Sequence, residues 1–259
     1  MRPIAGTAIA LEDGQHRWSF DALQAQVELA ADALRSRGVR VLATLMDNSA
    51  AWVIADRAAA RAGIVHVPLP VFFSQAQIGH ALAACGADGL LLGPELAAHW
   101  PLAAADVFSL GGQRLHLLRL PAKPVALPDG TSKITFTSGT TGAPKGVCLS
   151  EASMEAVAAG LVAAMEPLDI RRHLCALPFA VLLENIAGVS APLAHGATCL
   201  VPPLSQLGLA GSSSFDAGRF HEAVCRHAPE SIILLPQMLR AWVGHLAGQR
   251  QRAPGSLKL

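Results

Sequence analysis

At 259 residues, with 52% hydrophobic and 15% charged residues, the chain has the balance of a large buried interior, which excludes an intrinsically disordered protein. The formal net charge of +1 excludes a general attraction to nucleic acid or anionic lipid, so recognition must rest on local sites. The length allows one large domain or two smaller ones, with enough core to fold without staples.

The chain opens with a short hairpin: apolar residues flank Asp13-Gly14, a pair suited to the positive φ angles of a tight turn, and the second strand ends at Trp18. Ser19 can cap the next helix, in which Leu23, Val27, Ala30 and Leu34 recur at helical spacing. Gly38, behind Arg35 and Arg37, marks its stop. A strand is expected over 41–46. Helix 49–61 closed by Gly63, strand 64–68, helix 74–84 and strand 89–92 then alternate in the order of βαβ units around a parallel sheet. Residues 94–128 are less periodic and rich in Pro, Gly and Ala, which sets a domain boundary near Gly130.

A second alternating series follows. Strands over 133–137 and 147–149 flank a Gly/Thr/Ser loop, and Met154, Val157, Leu161 and Met165 define an amphipathic helix. Strand 173–177, helix 183–195, strand 197–201, helix 215–227, strand 231–235 and helix 237–247 complete it. The expected fold class is α/β, with two lobes of mostly parallel sheet flanked by helices, over 1–129 and 130–259, and a small N-terminal β-hairpin.

Cys85, Cys148, Cys175, Cys199 and Cys225 are widely spaced, odd in number and free of any C-x-x-C pair, so neither a disulfide framework nor a zinc site is suggested. They read as reduced, mostly buried residues of a cytoplasmic protein. His66, His173, His195, His221 and His227 show no metal-ligand spacing, and no metal ligand is assigned. The N-terminal apolar stretch is interrupted by Glu12 and Asp13 and lacks an export signal. The longest uncharged run, 185–215, contains Pro192, Pro202 and Pro203 and reads as buried core, so no transmembrane segment is expected.

The segment Thr137-Ser138-Gly139-Thr140-Thr141-Gly142-Ala143-Pro144-Lys145-Gly146 concentrates hydroxyls, glycines and one lysine between two strands. Glycines let the backbone turn and approach a ligand, hydroxyls offer donors, and Lys145 offers a cation, a set suited to a polyphosphate. A Walker A loop starting at Gly139 would need Gly at position 144 and Ser or Thr at 146, where this chain has Pro144 and Gly146. A strand, rather than a helix, is expected to follow.

This segment resembles the phosphate-binding signature of the adenylate-forming (AMP-binding) superfamily, which includes acyl-CoA synthetases, luciferases and peptide-synthetase adenylation domains. Trp18-Ser19-Phe20-Asp21-Ala22-Leu23, Asp47-Asn48-Ser49-Ala50-Ala51-Trp52 and Arg61 to Pro70 resemble further blocks of that family. The resemblance implies that a carboxylate attacks the α-phosphorus of ATP to give an acyl-adenylate and pyrophosphate, with Mg2+ assisting and coenzyme A as acceptor of the acyl group. Thr137, Ser138, Thr140, Thr141 and the catalytic Lys145 would hold the β and γ phosphates. Gly139, Gly142 and Gly146 would shape the loop.

Leu177 to Asn185 resembles the block lining the acid pocket in the long-chain fatty acid branch, which implies Phe179, Val181, Glu184 and Asn185 as pocket residues. Many relatives carry His where this chain has Val181. Glu184 and Asn185, at an expected helix start, fit either a polar pocket or a carboxylate placed against the helix dipole. Phe72, Phe73 and Gln77 also resemble the bacterial long-chain branch.

Family members are roughly twice this length, and the chain ends before their Tyr-Gly-x-Thr-Glu block, the ribose-binding Asp and the C-terminal subdomain. The expectation is therefore the N-terminal half of an AMP-forming acid:CoA ligase for a medium- or long-chain fatty acid, inactive by itself. The alternative is a half-length protein that binds a nucleotide or a partner without catalysis. Apolar surface at the final edge would favour a homodimer.

Overall fold

The computed structural model describes residues 5–97, 100, 105–137, 144–211 and 214–259. The chain forms two compact units, one of Leu23–Glu155 and one of residues up to Ala22 with Ala156–Leu259. In chain order the first elements are β1 (Ile9–Glu12), β2 (Arg17–Ser19) and α1 (Phe20–Ser36). β1 and β2 form the expected hairpin, with Gly14 at φ 92° in its turn.

The 23–155 unit continues with β3 (Val41–Leu45), α2 (Ala50–Ala62), β4 (Val65–Pro68), α3 (Gln75–Cys85), β5 (Gly89–Leu92), α4 (Pro94–Ala97), β6 (Asp106–Leu110), β7 (Gln113–Arg119), β8 (Thr131–Thr137) and β9 (Lys145–Ser150). Its strands form a seven-stranded sheet in the order β6-β7-β5-β3-β4-β8-β9. The middle strands β5, β3, β4 and β8 are parallel, and the outer pairings are antiparallel. All four residues of β5 are buried, the pattern of a parallel strand covered on both faces. Leu45, Val67, Leu90, Leu92, Ile134 and Phe136 belong to one apolar core.

Local signals set the helices of this unit. Ser49 accepts from the Trp52 amide at the start of α2, and Gly63 closes that helix at φ 68°. Ser74 and Gln77 form a reciprocal capping box at the start of α3.

Two expectations differ from the structure here. Residues 106–119, read as lacking periodicity, form the hairpin β6-β7, turned by Gly111 and Gly112 at φ 51° and 75°. Two consecutive positive φ angles are what a two-residue hairpin turn requires, and only glycine adopts both without strain. The boundary expected at Gly130 also moves. β8 pairs with β4 in parallel, so 131–150 extend the sheet that precedes them, and the compact units divide at Ala22/Leu23 and Glu155/Ala156.

The other unit contains α5 (Glu151–Met165), β10 (Arg172–Leu174), a π-helix (Glu184–Ser190), α6 (Ala191–His195), β11 (Thr198–Leu200), β12 (Leu209–Ala210), β13 (Ser214–Phe215), α7 (Ala217–His227), β14 (Ser231–Ile232) and α8 (Pro236–Gln249). α5 begins in the last residues of the 23–155 unit. Its five-stranded sheet runs β14-β10-β11-β1-β2, parallel except for β1-β2. Leu174, Leu200, Phe220, Val224 and Trp242 form its core. Asp216 caps α7 by accepting from the Gly218 and Arg219 amides, both at 3.0 Å. The helix expected over 183–195 is π-helical in its first half, and the strand expected over 231–235 pairs only through Ser231 and Ile232. Among the described residues no helix is long and apolar enough to cross a membrane.

Candidate functional site

The Gly/Thr/Ser loop is the connection of a β-hairpin. β8 and β9 pair antiparallel, and the last pair before the loop is Thr137 opposite Lys145. β8 is buried from Lys133 to Phe136 and emerges at Thr137, which is exposed at the mouth, with Lys145 exposed across from it. A hydroxyl and an ammonium are thus held side by side by strand register, a donor set that suits an anion. Ser138, Gly139, Thr140, Thr141 and Gly142, also expected to bind phosphate, lie outside the described residues.

The residues bordering the loop are anchored. Pro144 is buried, and its carbonyl accepts from His80 Nε2 on α3 at 3.0 Å. Gly146 lies against the sheet, where a Cβ would stand 3.1 Å from Ile134 Cγ2 and 3.2 Å from Phe136 Cζ. Its role here is close packing beneath the hairpin, which complements the loop-shaping role expected from the sequence.

Deeper in the same unit, β8 carries the buried Lys133, whose Nζ is 2.7 Å from Asp56 Oδ1 on α2. Asp56 also bonds His66 Nδ1, and His66 Nε2 meets Thr44 Oγ1 at 2.9 Å. Burial would raise the Asp56 pKa, but the Lys133 charge and the His66 hydrogen bond outweigh it and hold the carboxyl well below the usual carboxylate range. Burial pushes the His66 pKa down, opposed by the Asp56 carboxylate. This network ties β8 to α2, β3 and β4. No local spacing signals it, because its members are 10 to 89 positions apart.

In the other unit the expected acid-pocket residues separate by burial. Phe179 is 1% exposed, Glu184 0% and Asn185 1%, whereas Val181 is 37% exposed. Of these four, Val181 is the one open to solvent. Glu184 is the first residue of the π-helix, as its expected place at a helix start requires. Burial raises its pKa, opposed by His173 and by the nearby Leu177 and Ala176 amides. Neither carboxylate oxygen has a partner at hydrogen-bond distance and angle.

Glu184 has company that the spacing of histidines did not reveal. His173 Nε2 is 3.6 Å from Glu184 Oε1, and donor atoms of His173, Cys175 and Glu184 all lie within 4.8 Å of one another. The sequence reading assigned no metal ligand to any of them; the structure groups all three. His173 and Cys175 are two residues apart at the end of β10 and so share a face. That i, i+2 pattern was the available signal, but Glu184 joins them only through the fold.

Ala187, from the same π-helix, borders a shallow apolar hollow with Leu161, Val162, Met165 and Ile170. None of the expected site residues lines it. α5 forms where its apolar spacing predicts, yet Val157 is 53% exposed and only Ala158 is buried.

The model of the family described as AMP-binding enzyme matches residues 5–259. A feruloyl-CoA synthase from an Amycolatopsis species is 29% identical over 256 residues, covering 92% of this chain and 48% of that protein. Gramicidin S synthase 2 from Brevibacillus brevis is 29% identical over 153 residues, 58% of this chain and 3% of that protein. The chain therefore spans about half the length of the feruloyl-CoA synthase. Among solved structures, O-succinylbenzoate coenzyme A synthetase from Bacillus subtilis in complex with ATP and magnesium ion superposes with a TM-score of 0.68 at 22% identity, over 97% of this chain and 65% of that one.

Proposed function

The chain belongs to the AMP-binding enzyme family, and from that premise we propose that it is part of an ATP-dependent, AMP-forming ligase that activates a carboxylic acid as its acyl-adenylate. The observation that carries this reading is the register of the β8-β9 hairpin, which sets the exposed Thr137 opposite the exposed Lys145 at the mouth of the loop.

In this reading Lys145 is the catalytic cation. It touches the departing pyrophosphate and offsets the charge that builds there as the acid carboxylate attacks the α-phosphorus. Thr137 donates its hydroxyl beside it, with Ser138, Thr140 and Thr141 proposed to complete the cradle. The segment 137–146 contains a cation and hydroxyls and no carboxylate, so it suits the phosphates directly; Mg2+ would come with the nucleotide and neutralise phosphate oxygens. Coenzyme A is proposed as the acyl acceptor, by analogy with the feruloyl-CoA and O-succinylbenzoate enzymes.

The acid is proposed at the level of a carboxylic acid. The medium- or long-chain fatty acid expected from Leu177–Asn185, Phe72 and Phe73 finds no support in relatives named for feruloyl-CoA, O-succinylbenzoate and a peptide antibiotic. Val181 is the exposed member of the expected pocket set, at 37%, and in this reading it is the one proposed to meet the acid.

The test is acid-dependent exchange of labelled pyrophosphate into ATP, run over a panel of aryl, amino and fatty acids. Exchange driven by one class of acid supports adenylation and names the class. Saturable ATP binding with no exchange on any acid, in the chain or in the protein it forms part of, would reduce the reading to nucleotide binding without ligase chemistry.

A further inference from the structure

Within the 156–259 unit, the donor atoms of His173, Cys175 and Glu184 converge, and a fourth donor, Cys199, lies on the same face of the sheet. β10 presents His173 and, one residue past its end, Cys175. β11 presents Cys199, paired directly opposite His173 and therefore on the same face of the sheet. The π-helix supplies Glu184, which is 0% exposed, with His173 at 2% and both cysteines at 0%. Both cysteine sulfurs point at the Gly188 carbonyl, at 3.3 Å from Cys175 and 3.5 Å from Cys199.

Two features of this cluster point to an occupant. His173 Nε2 and both Glu184 oxygens are buried without a well-formed hydrogen bond, the two groups facing each other at 3.6 Å, an arrangement that costs stability unless something joins them. The chain also makes room for it: a Cβ on Gly188 would stand 2.4 Å from Glu184 Oε1 and 3.1 Å from His173 Nε2. Glycine at 188, on a π-helix turn of the kind that often marks a functional site, keeps the space between those two groups open.

We infer that His173 Nε2, Cys175 Sγ and Glu184 form a buried structural site for a divalent metal of the zinc class, with Cys199 beside them as the fourth donor. The 3.6 Å between His173 Nε2 and Glu184 Oε1 matches the roughly 3.3 Å that two ligands about 2.0–2.1 Å from a tetrahedral zinc would show. His173 Nδ1 is 2.8 Å from Ser231 Oγ, a hydroxyl able to accept from Nδ1–H, and in that tautomer Nε2 is free to coordinate. On binding, Cys175 and Cys199 each turn from the Gly188 carbonyl, release a proton to solvent and coordinate as thiolates. With the Glu184 carboxylate the ligands carry three negative charges against the dication, and His173 Nε2 completes the four-coordinate shell. A site so enclosed braces β10, β11 and the π-helix and leaves no coordination position for substrate. It is independent of the ATP reading, since none of its donors is in the hairpin.

The experiment is titration of the reduced, metal-stripped, untagged chain with Co(II), followed by displacement with Zn(II). The expected result is uptake of about one equivalent, with thiolate charge-transfer absorption and the visible bands of tetrahedral cobalt, and a rise in unfolding temperature with Zn(II). Cys175→Ser removes charge-transfer intensity, and Glu184→Gln weakens binding on the order of a hundredfold or more, beyond what loss of an outer partner does. Cys225→Ser leaves the spectrum unchanged; Cys225 is 3.6 Å from His221 Nε2 and is the competing thiol-imidazole pair. The inference is overturned if the folded wild-type chain takes up no stoichiometric metal, if uptake is indifferent to Cys175→Ser and Glu184→Gln, or if the cobalt spectrum is lost in Cys225→Ser. Should Cys175→Ser fail to fold, Glu184→Gln and the wild-type spectrum decide between these outcomes.

Discussion

Lys133 Nζ and Asp56 Oδ1 stand 2.7 Å apart with side chains only 7% and 12% exposed. Removing one member of such a pair leaves the other charge without its partner, which costs far more than the pair itself contributes. Lys133→Met should therefore destabilise the chain by about 3–5 kcal/mol, read as a lower urea midpoint with unchanged slope. The effect has a defined pH dependence. The folded-state pKa of Asp56 lies below its ordinary 3.8, so its stabilisation is present above that pH and is lost as the pH falls towards the folded value. The gap between wild type and variant should narrow on acidification through 3.8, and a gap constant from neutral pH to pH 3 would show that the ion pair is not its source.

Lys145 sits at the hairpin mouth opposite Thr137. A charge-assisted hydrogen bond contributes about 1.5–3 kcal/mol, so Lys145→Ala should weaken ATP or pyrophosphate binding by about ten- to a hundredfold, at about 1.4 kcal/mol per decade. Calorimetric titration reads this directly. Equal affinities for the two proteins would remove the hairpin from the nucleotide site.

His80 acts one step behind. Its Nε2 meets the Pro144 carbonyl at 3.0 Å, fixing the backbone next to Lys145. Loss of one neutral hydrogen bond is worth about 0.5–1.5 kcal/mol, so His80→Ala should weaken pyrophosphate binding by roughly two- to tenfold. His80→Gln, which keeps a donor, should recover part of it. An effect as large as that of Lys145→Ala would mean that His80 touches the ligand itself.

Gly208 adopts φ 74°, and a Cβ there would lie 2.4 Å from the Asp216 carbonyl oxygen. Gly208→Ala should cost about 1–3 kcal/mol or more, since neither the backbone conformation nor the contact can relax cheaply. Gly160 is the control: it lies within α5 with nothing inside 4 Å, so Gly160→Ala should stabilise by about 0.5–1 kcal/mol. Thermal unfolding of both variants measures the contrast, and equal shifts in Tm would contradict it.

Much of the fold was legible because its signals are local. The helix starts at Ser49 and Ser74, the stop at Gly63, and the alternation of apolar strands with amphipathic helices made most of the element order readable. The ten-residue segment ending at Gly146 announced the family. The hairpin 106–119 was missed, although its Gly111-Gly112 turn is a local signal, because its strands do not alternate cleanly.

What the sequence determined by itself was therefore the order of most elements and the family of the chain, properties carried by backbone preference and by neighbours a few residues away. Only the tertiary structure decided that 131–150 complete the preceding sheet, that Lys133 neutralises Asp56 and that Glu184 meets His173 and Cys175. The reason is physical. Each of these depends on which side chains lose water together, and burial is set by the packing of distant segments, which no local spacing encodes.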